Sequence, residues 1–158
     1  MKSKLVWLVA LSVCLGAAGC GLIGTTKEAP RGEQGEVVES AKADVFTMKV
    51  GDCTGDLDEG EISESLLIPC GDAHYWEAYA STQMTGDDYP ADAADQADAY
   101  CLSEFEPFIG LSYEESVYEV TYLYPTQETW DLVDDREILC LAGGDTGDLV
   151  GTLKGIAS

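Results

Sequence analysis

Basic residues are scarce in this sequence. Lys and Arg together number 8, whereas Asp and Glu number 30, and the formal charge of the 158-residue chain is -22 at pH 7. Phosphate backbones and anionic lipid headgroups bind proteins mainly through Lys and Arg, so both would repel this chain. We therefore expect no nucleic-acid partner. The acidic surface is interpreted chiefly as solubilising, and the partner it would attract is a protein face rich in Lys and Arg.

The chain also lacks the motifs of common catalytic sites. It has no Gly-x-Ser-x-Gly elbow, no phosphate-binding Gly-x-x-x-x-Gly-Lys loop, and a single histidine, His74. Nucleophilic hydrolysis needs a base beside the nucleophile, and His74 is the only histidine that could serve. Alternation along residues 75–81 places His74 on the same face as Trp76, toward the core. The sequence therefore favours a non-enzymatic protein, with a hydrolase centred on His74 as an alternative.

Motifs for metal binding are weak. No Cys-x-x-Cys pair is present, which disfavours a zinc site. Residues 52–61 and 144–148 form acidic loops, and calcium prefers carboxylate oxygens that converge from a turn. Neither loop has the spacing of an EF-hand, so solvated turns are the simpler interpretation. We predict no metal site and no cofactor, and we keep a calcium-dependent binding module as a second alternative.

Long hydrophobic runs are absent as well. The apolar run at residues 5–15 is shorter than the ~20 residues needed to cross a bilayer. It follows Lys2 and Lys4 and ends in small residues, which is typical of a secretory signal. Residues 17–20 (Ala-Ala-Gly-Cys) resemble the lipobox of bacterial lipoproteins, in which the cysteine is acylated and becomes the new N-terminus. We predict a signal peptide at residues 1–19 and a lipid anchor at Cys20 that inserts into the bilayer at the outer face of the cell membrane.

Residues 20–44 are polar and show no apolar periodicity. Such a segment buries too little surface to offset its ordering entropy, so we predict a flexible tether. A coil of this length has a root-mean-square reach of ~25–30 Å. The predicted globular domain then occupies residues 45–158.

Four cysteines fall in that domain, and an even number in an exported domain predicts disulfides. Sequence alone leaves three pairings open. We favour Cys53 with Cys70, which closes a short loop, and Cys101 with Cys140, which joins a helix to a strand. In the chain-entropy model these two loops contribute ~3 and ~4 kcal/mol.

Local patterns indicate a mixed architecture. Strands are predicted at residues 45–50, 75–81, 117–124 and 137–142, the last apolar on both faces and so central. One principal helix is predicted from Asp92 to Gly110. Strands and helices do not alternate strictly, so we predict an α+β fold, a small, mainly antiparallel twisted sheet with one helix packed on it. Tyr75, Glu77 and Tyr79 share the predicted outward face of their strand and form a candidate recognition surface.

Several motifs resemble, in order, the septum-formation-related domain of actinobacterial envelope proteins. They are residues 45–53, the Cys-x-x-x-His-x-x-Glu pattern of Cys70, His74 and Glu77, the Tyr-Leu-Tyr-Pro-Thr segment at residues 122–126 followed by Trp130, the strand cysteine Cys140, and the glycine-containing residues 149–155. Ala73 departs from the proline that many relatives carry. The resemblance implies an exported or membrane-tethered, disulfide-bearing module with a link to septation and the cell wall, and it implies no catalytic residues.

The sequence thus predicts an extracytoplasmic lipoprotein that acts as a non-enzymatic interaction module. Its expected partners are the bilayer, through acylated Cys20, and an envelope protein or a component of the cell wall.

Overall fold

A six-stranded antiparallel sheet forms the centre of the computed structural model, which describes residues 27–57 and 62–157. The strands are β1 (Ala41–Asp44), β2 (Cys53–Thr54), β3 (Glu64–Ile68), β4 (Trp76–Gln83), β5 (Glu119–Leu123) and β6 (Glu137–Gly143). Their spatial order is β1-β3-β2-β4-β6-β5. Two α-helices, α1 (Ala93–Ile109) and α2 (Gln127–Val133), accompany the sheet within the described ranges. The predicted α+β class and the central position of β6 are confirmed.

Helix α1 covers one face of the sheet. Residues at every fourth position are buried and form its contact stripe: Ala93, Ala97, Cys101, Phe105 and Ile109. The helix ends at Gly110, whose φ of 92° suits a residue without a side chain and whose N–H bonds to the carbonyl of Glu106. None of the helices within the described ranges has the length and hydrophobicity of a membrane span.

The central strands β4 and β6 are buried on both faces. Tyr79, Ala80 and Cys140 pack in the core beneath α1, whereas Ala78 and Leu141 pack in a second core on the opposite face. A bulge between Ala78 and Ala80 interrupts the pairing of β4 with β6. The extra residue turns two consecutive side chains, Tyr79 and Ala80, toward the same core.

The second core is closed by the N-terminal segment, which corrects the predicted tether. Ala29 and Val37 are buried in it, and β1 pairs with β3. The Arg31 guanidinium holds the Asp52 carboxylate through two contacts of 2.6 and 2.7 Å, and these hydrogen bonds raise the pKa of Arg31. Residues 27–44 therefore belong to the folded domain, because a few well-placed apolar side chains and one buried ion pair suffice to dock them. Residues 20–26 lie outside the described ranges.

The predicted strand at residues 45–50 is also wrong. Val45–Thr47 forms a single 3-10 turn, and the Asp44 side chain accepts a hydrogen bond of 3.0 Å from the Phe46 N–H. An aspartate that bonds the backbone two residues later starts a turn and ends a strand. The strand in this part of the chain is β1, which ends at Asp44, directly before the turn.

Both favoured disulfides are confirmed. Cys53 is bonded to Cys70 with a Cα–Cα distance of 5.2 Å, and Cys101 is bonded to Cys140 with a distance of 5.4 Å. The first joins β2 to the turn after β3, and the second joins α1 to β6. The crosslinks therefore brace two neighbouring inner strands of the sheet and its main helix.

Replacing Arg31 with Ala should lower the free energy of unfolding by about 3 kcal/mol, because it leaves the Asp52 carboxylate buried without its cation. Urea denaturation followed by tryptophan fluorescence measures the change. Lys27 is the matched control, since its 3.3 Å pair with Glu64 is half exposed, and Lys27→Ala should cost less than about 1 kcal/mol. Equal effects of the two substitutions would contradict the docking role of Arg31.

Candidate functional site

The corner at residues 70–80 holds the only histidine, and its ring is buried. His74 is 0% exposed, and its backbone N–H and C=O pair with Leu149 at 2.9 and 3.2 Å. Nδ1 lies 2.9 Å from the carbonyl oxygen of Asp72, while Nε2 is buried with no hydrogen-bond partner among the described residues. The inward direction predicted for this side chain is confirmed. A general base must reach its substrate, so this geometry lends no support to a hydrolase centred on His74.

The candidate recognition surface of Tyr75, Glu77 and Tyr79 is wrong as an outward face. Glu77 is 4% exposed and Tyr79 is 6% exposed. The Tyr75 ring packs so closely on Gly147 that a Cβ there would come within 2.3 Å of it. Helix α1 and the C-terminal segment cover this face of β4, and sequence alternation does not reveal such a cover.

Tyr79 is part of the core. Its hydroxyl donates a hydrogen bond of 2.5 Å to the carbonyl of Cys101, and its ring stacks on Phe108 with centroids 5.2 Å apart. Burial raises the pKa of Tyr79. The side chain therefore links β4 to α1 instead of presenting a contact surface.

Glu77 holds the C-terminal segment against the sheet. Oε1 accepts a hydrogen bond of 2.7 Å from the Thr152 hydroxyl, and Oε2 accepts one of 2.6 Å from the Leu153 N–H. Leu153 is itself buried in the core beneath α1. The carboxylate thus fixes a segment that has no strand partner at these positions.

A cavity of about 560 Å³ opens beside Glu77 and the Cys53–Cys70 disulfide; we call it the Glu77 cavity. Val37, Val50 and Phe108 contribute apolar walls. Its charged lining side chains are Glu36, Glu77 and Lys154. The cavity is therefore mostly apolar, with a few charged groups that converge on it.

A second concavity, of about 870 Å³, lies between the Val45–Thr47 turn and α2; we call it the apolar groove. Leu123 and Leu139 line it from the sheet. Three large apolar side chains at its sides are unusually exposed: Phe46 at 53%, Leu132 at 73% and Val133 at 64%. Clustered exposed apolar side chains commonly mark an interaction site.

Helix α2 is held firmly while it presents these side chains. Thr126 caps its first turn by accepting from the Thr129 N–H at 3.1 Å. Trp130 is buried, donates to the carbonyl of Asp87 at 3.2 Å, and is covered by the Arg136 guanidinium at 3.5 Å from the ring centroid. Leu132 lies about 200° around the helix from the inward-facing Trp130, and both Leu132 and Val133 are exposed to solvent.

The groove is also acidic. Glu128, Asp135 and Glu137 are among its lining residues, and no Lys or Arg occurs among those that the structure describes there. The sequence does not reveal this site, because the pattern at residues 45–50 indicates a strand that includes Phe46. The sequence feature that nevertheless indicates it is the adjacent apolar pair Leu132–Val133, which follows Trp130 on a short helix that uses Trp130 as its inward-facing side chain.

The two acidic loops lie partly within the described residues. Within residues 27–57 and 62–157, no group of three His, Cys, Asp or Glu side chains could hold a metal ion. Asp58, Glu59 and Glu61 of the first loop lie outside these ranges, as does the predicted lipidation site, Cys20.

Comparison with known proteins gives a distant relationship. The chain is similar to "Putative lipoprotein LppN" of Mycobacterium tuberculosis and to the protein of the same name in Mycobacterium bovis, each 27% identical over 117 residues. The match covers 71% of this chain and 65% of each relative, so the chain spans slightly less than two thirds of the curated relatives. No family model matches, and the resemblance to the septum-formation-related domain rests on its motifs. No solved structure matches either.

The two disulfides should differ in their reactivity toward thiols. Cys101 and Cys140 are both fully buried, whereas Cys70 is half-buried and lines the Glu77 cavity, so an attacking thiolate can reach only the Cys53–Cys70 bond in the folded state. Under native conditions dithiothreitol should therefore expose Cys53 and Cys70 first, as followed by alkylation and peptide mass spectrometry. In denaturant both pairs should react together; equal rates in the native protein would contradict this order.

Proposed function

We propose that this protein is a lipoprotein of the cell envelope, anchored by acylated Cys20 at the outer face of the membrane, and that it acts as a non-enzymatic binding module. The lipobox-like residues 17–20 support the anchor, as does the similarity to proteins named as lipoproteins. The burial of His74 is the reason that we do not propose a hydrolase.

The apolar groove is the observation that carries the binding role. Burying an apolar side chain such as Phe46, Leu132 or Val133 contributes about 1.5–3 kcal/mol when it moves from water to a packed interface. The carboxylates of Glu128, Asp135 and Glu137 add a negative field beside this apolar surface. The occupant that complements both properties is a peptide segment of another envelope protein that carries apolar side chains together with Lys or Arg.

The anchor limits where this partner can lie. Lys27, the first described residue, is seven residues after Cys20. A fully extended chain of that length spans at most about 25 Å. The partner segment is therefore expected close to the bilayer surface, for example beside a membrane span.

The order of motifs along residues 45–155 supports a more specific role. Their resemblance to the septum-formation-related domain leads us to propose that the partner takes part in envelope growth or septation. A component of the cell wall is the alternative occupant within the same role.

The groove should bind a cationic apolar peptide. A synthetic peptide of alternating leucine and lysine should shift the amide resonances of α2, and a counterpart with glutamate in place of lysine should not, because its charge matches that of the groove. Leu132→Ser should weaken binding at least about tenfold, since it removes an anchor side chain. Val150→Ser is the matched control at an exposed position outside the groove, and it should leave the affinity unchanged. Equal losses in both variants would contradict the assignment.

The anchor should depend on Cys20 alone. Cys20→Ser should release the protein from membranes into the soluble fraction, because residues 17–20 then carry no thiol to acylate. Cys14 lies within the predicted signal peptide, and Cys14→Ser should leave the protein membrane-bound. Cell fractionation and intact-mass spectrometry measure the two outcomes. Retention of Cys20→Ser in the membrane fraction would overturn the lipid anchor without affecting the groove.

A further inference from the structure

We propose that the Glu77 cavity binds a small organic molecule that carries an ammonium group on an apolar body. This site is separate from the apolar groove, since the two have no lining residue in common. Three features of the cavity support this: the buried Glu77 carboxylate in its wall, the unused hydrogen-bonding capacity of that group, and the shape of the cavity.

Two buried carboxylates, those of Asp52 and Glu77, differ in their partners. Asp52 is 3% exposed and is paired with Arg31, as a buried charge normally requires. Glu77 is 4% exposed, yet none of the ion pairs among the described residues includes it. Its two hydrogen-bond donors, the Thr152 hydroxyl and the Leu153 N–H, are both neutral. Glu77 is thus a buried carboxylate on a cavity wall with no ion-pair partner among the described residues, and an ammonium group bound in the cavity would supply one.

Glu77 also keeps acceptor capacity for a ligand. An ionised carboxylate offers about four lone-pair sites, and each oxygen of Glu77 accepts one bond from the protein. An ammonium group can fill the remaining sites without displacing Thr152 or Leu153. Glu36 also lines the cavity, and its carboxylate, which accepts a hydrogen bond of 3.1 Å from the Gln34 N–H, adds a second negative charge at the rim.

The remaining walls suit an apolar body. Val37, Val50, Phe108 and the Cys53–Cys70 disulfide line the cavity, and its volume of about 560 Å³ lies within the range of small-molecule sites. Lys154 is the one Lys or Arg among the lining residues that the structure describes, and its ammonium group would repel a cationic ligand. The site should therefore prefer amines over alcohols of the same shape, and Lys154 should weaken this preference.

Benzylamine is a suitable probe, because benzyl alcohol and benzoate have similar shapes and different charges. Each is titrated into the processed full-length protein in detergent micelles, and amide resonances are followed by NMR. Benzylamine should shift the amides of Val37, Glu77 and Thr152 saturably. Benzyl alcohol should bind at least about tenfold more weakly, and benzoate should leave these resonances unchanged. Equal affinities for amine and alcohol, or shifts scattered over the acidic surface, would overturn the proposal.

Charge-matched variants separate the cavity from the overall charge of the protein. Glu77→Gln should weaken benzylamine binding at least about tenfold, and Glu36→Gln should weaken it less; Glu36 is exposed, so that variant keeps the test valid if Glu77→Gln fails to fold. Glu114→Gln removes the same charge from an exposed 3-10 turn outside the cavity and should have no effect. Lys154→Gln should tighten binding severalfold. If Lys154→Gln instead lowers the melting temperature and leaves the affinity unchanged, Lys154 is the counter-ion of Glu77 and the proposal fails.

Discussion

The arrangement of this protein depends on one constraint: the central strands β4 and β6 must be covered on both faces. On one side α1 provides the cover, fixed to β6 by the Cys101–Cys140 disulfide. On the other side the cover is irregular, formed by the N-terminal segment and fastened by the Arg31–Asp52 ion pair. Among the described residues α1 is the one long helix, and the irregular N-terminal segment buries the face of the sheet that α1 leaves open.

The parts of the fold that could be predicted are those decided by strong local patterns. The apolar stripe of α1, which repeats every fourth residue, and the apolar run of β6 each identify their element directly. The even cysteine count likewise indicates the disulfides. The N-terminal cover was not predicted, because its apolar residues are few and follow no period. Ala29 and Val37 are buried by tertiary contacts that leave no local signal.

The candidate sites could be predicted less well, for the same reason. Alternation along β4 indicates an outward face for Tyr79, but α1 covers that face and places the side chain in the core. The segment around Phe46 shows strand-forming residues, and the Asp44 side chain converts it to a turn that exposes the ring. In both cases one tertiary or side-chain interaction overrides the local sequence pattern. The positions of the functional surfaces depend on such interactions.

The sheet is incompletely covered at two places, and each place holds a concavity of a different character. The Glu77 cavity is small and contains a buried carboxylate, which suits a compact cationic ligand. The apolar groove is open and presents Phe46, Leu132 and Val133 beside three carboxylates, which suits a peptide segment.

The most direct test of the binding role is site-specific photo-crosslinking of the lipid-anchored protein in the membranes of its own host. A photoreactive benzophenone side chain is placed at Leu132 in the apolar groove or at Val150, which is exposed outside it. A single major adduct is expected from position 132, and its crosslinked peptide should be apolar and contain Lys or Arg. No such adduct is expected from position 150. The absence of an adduct at 132, or the same adducts from both positions, would contradict the binding role.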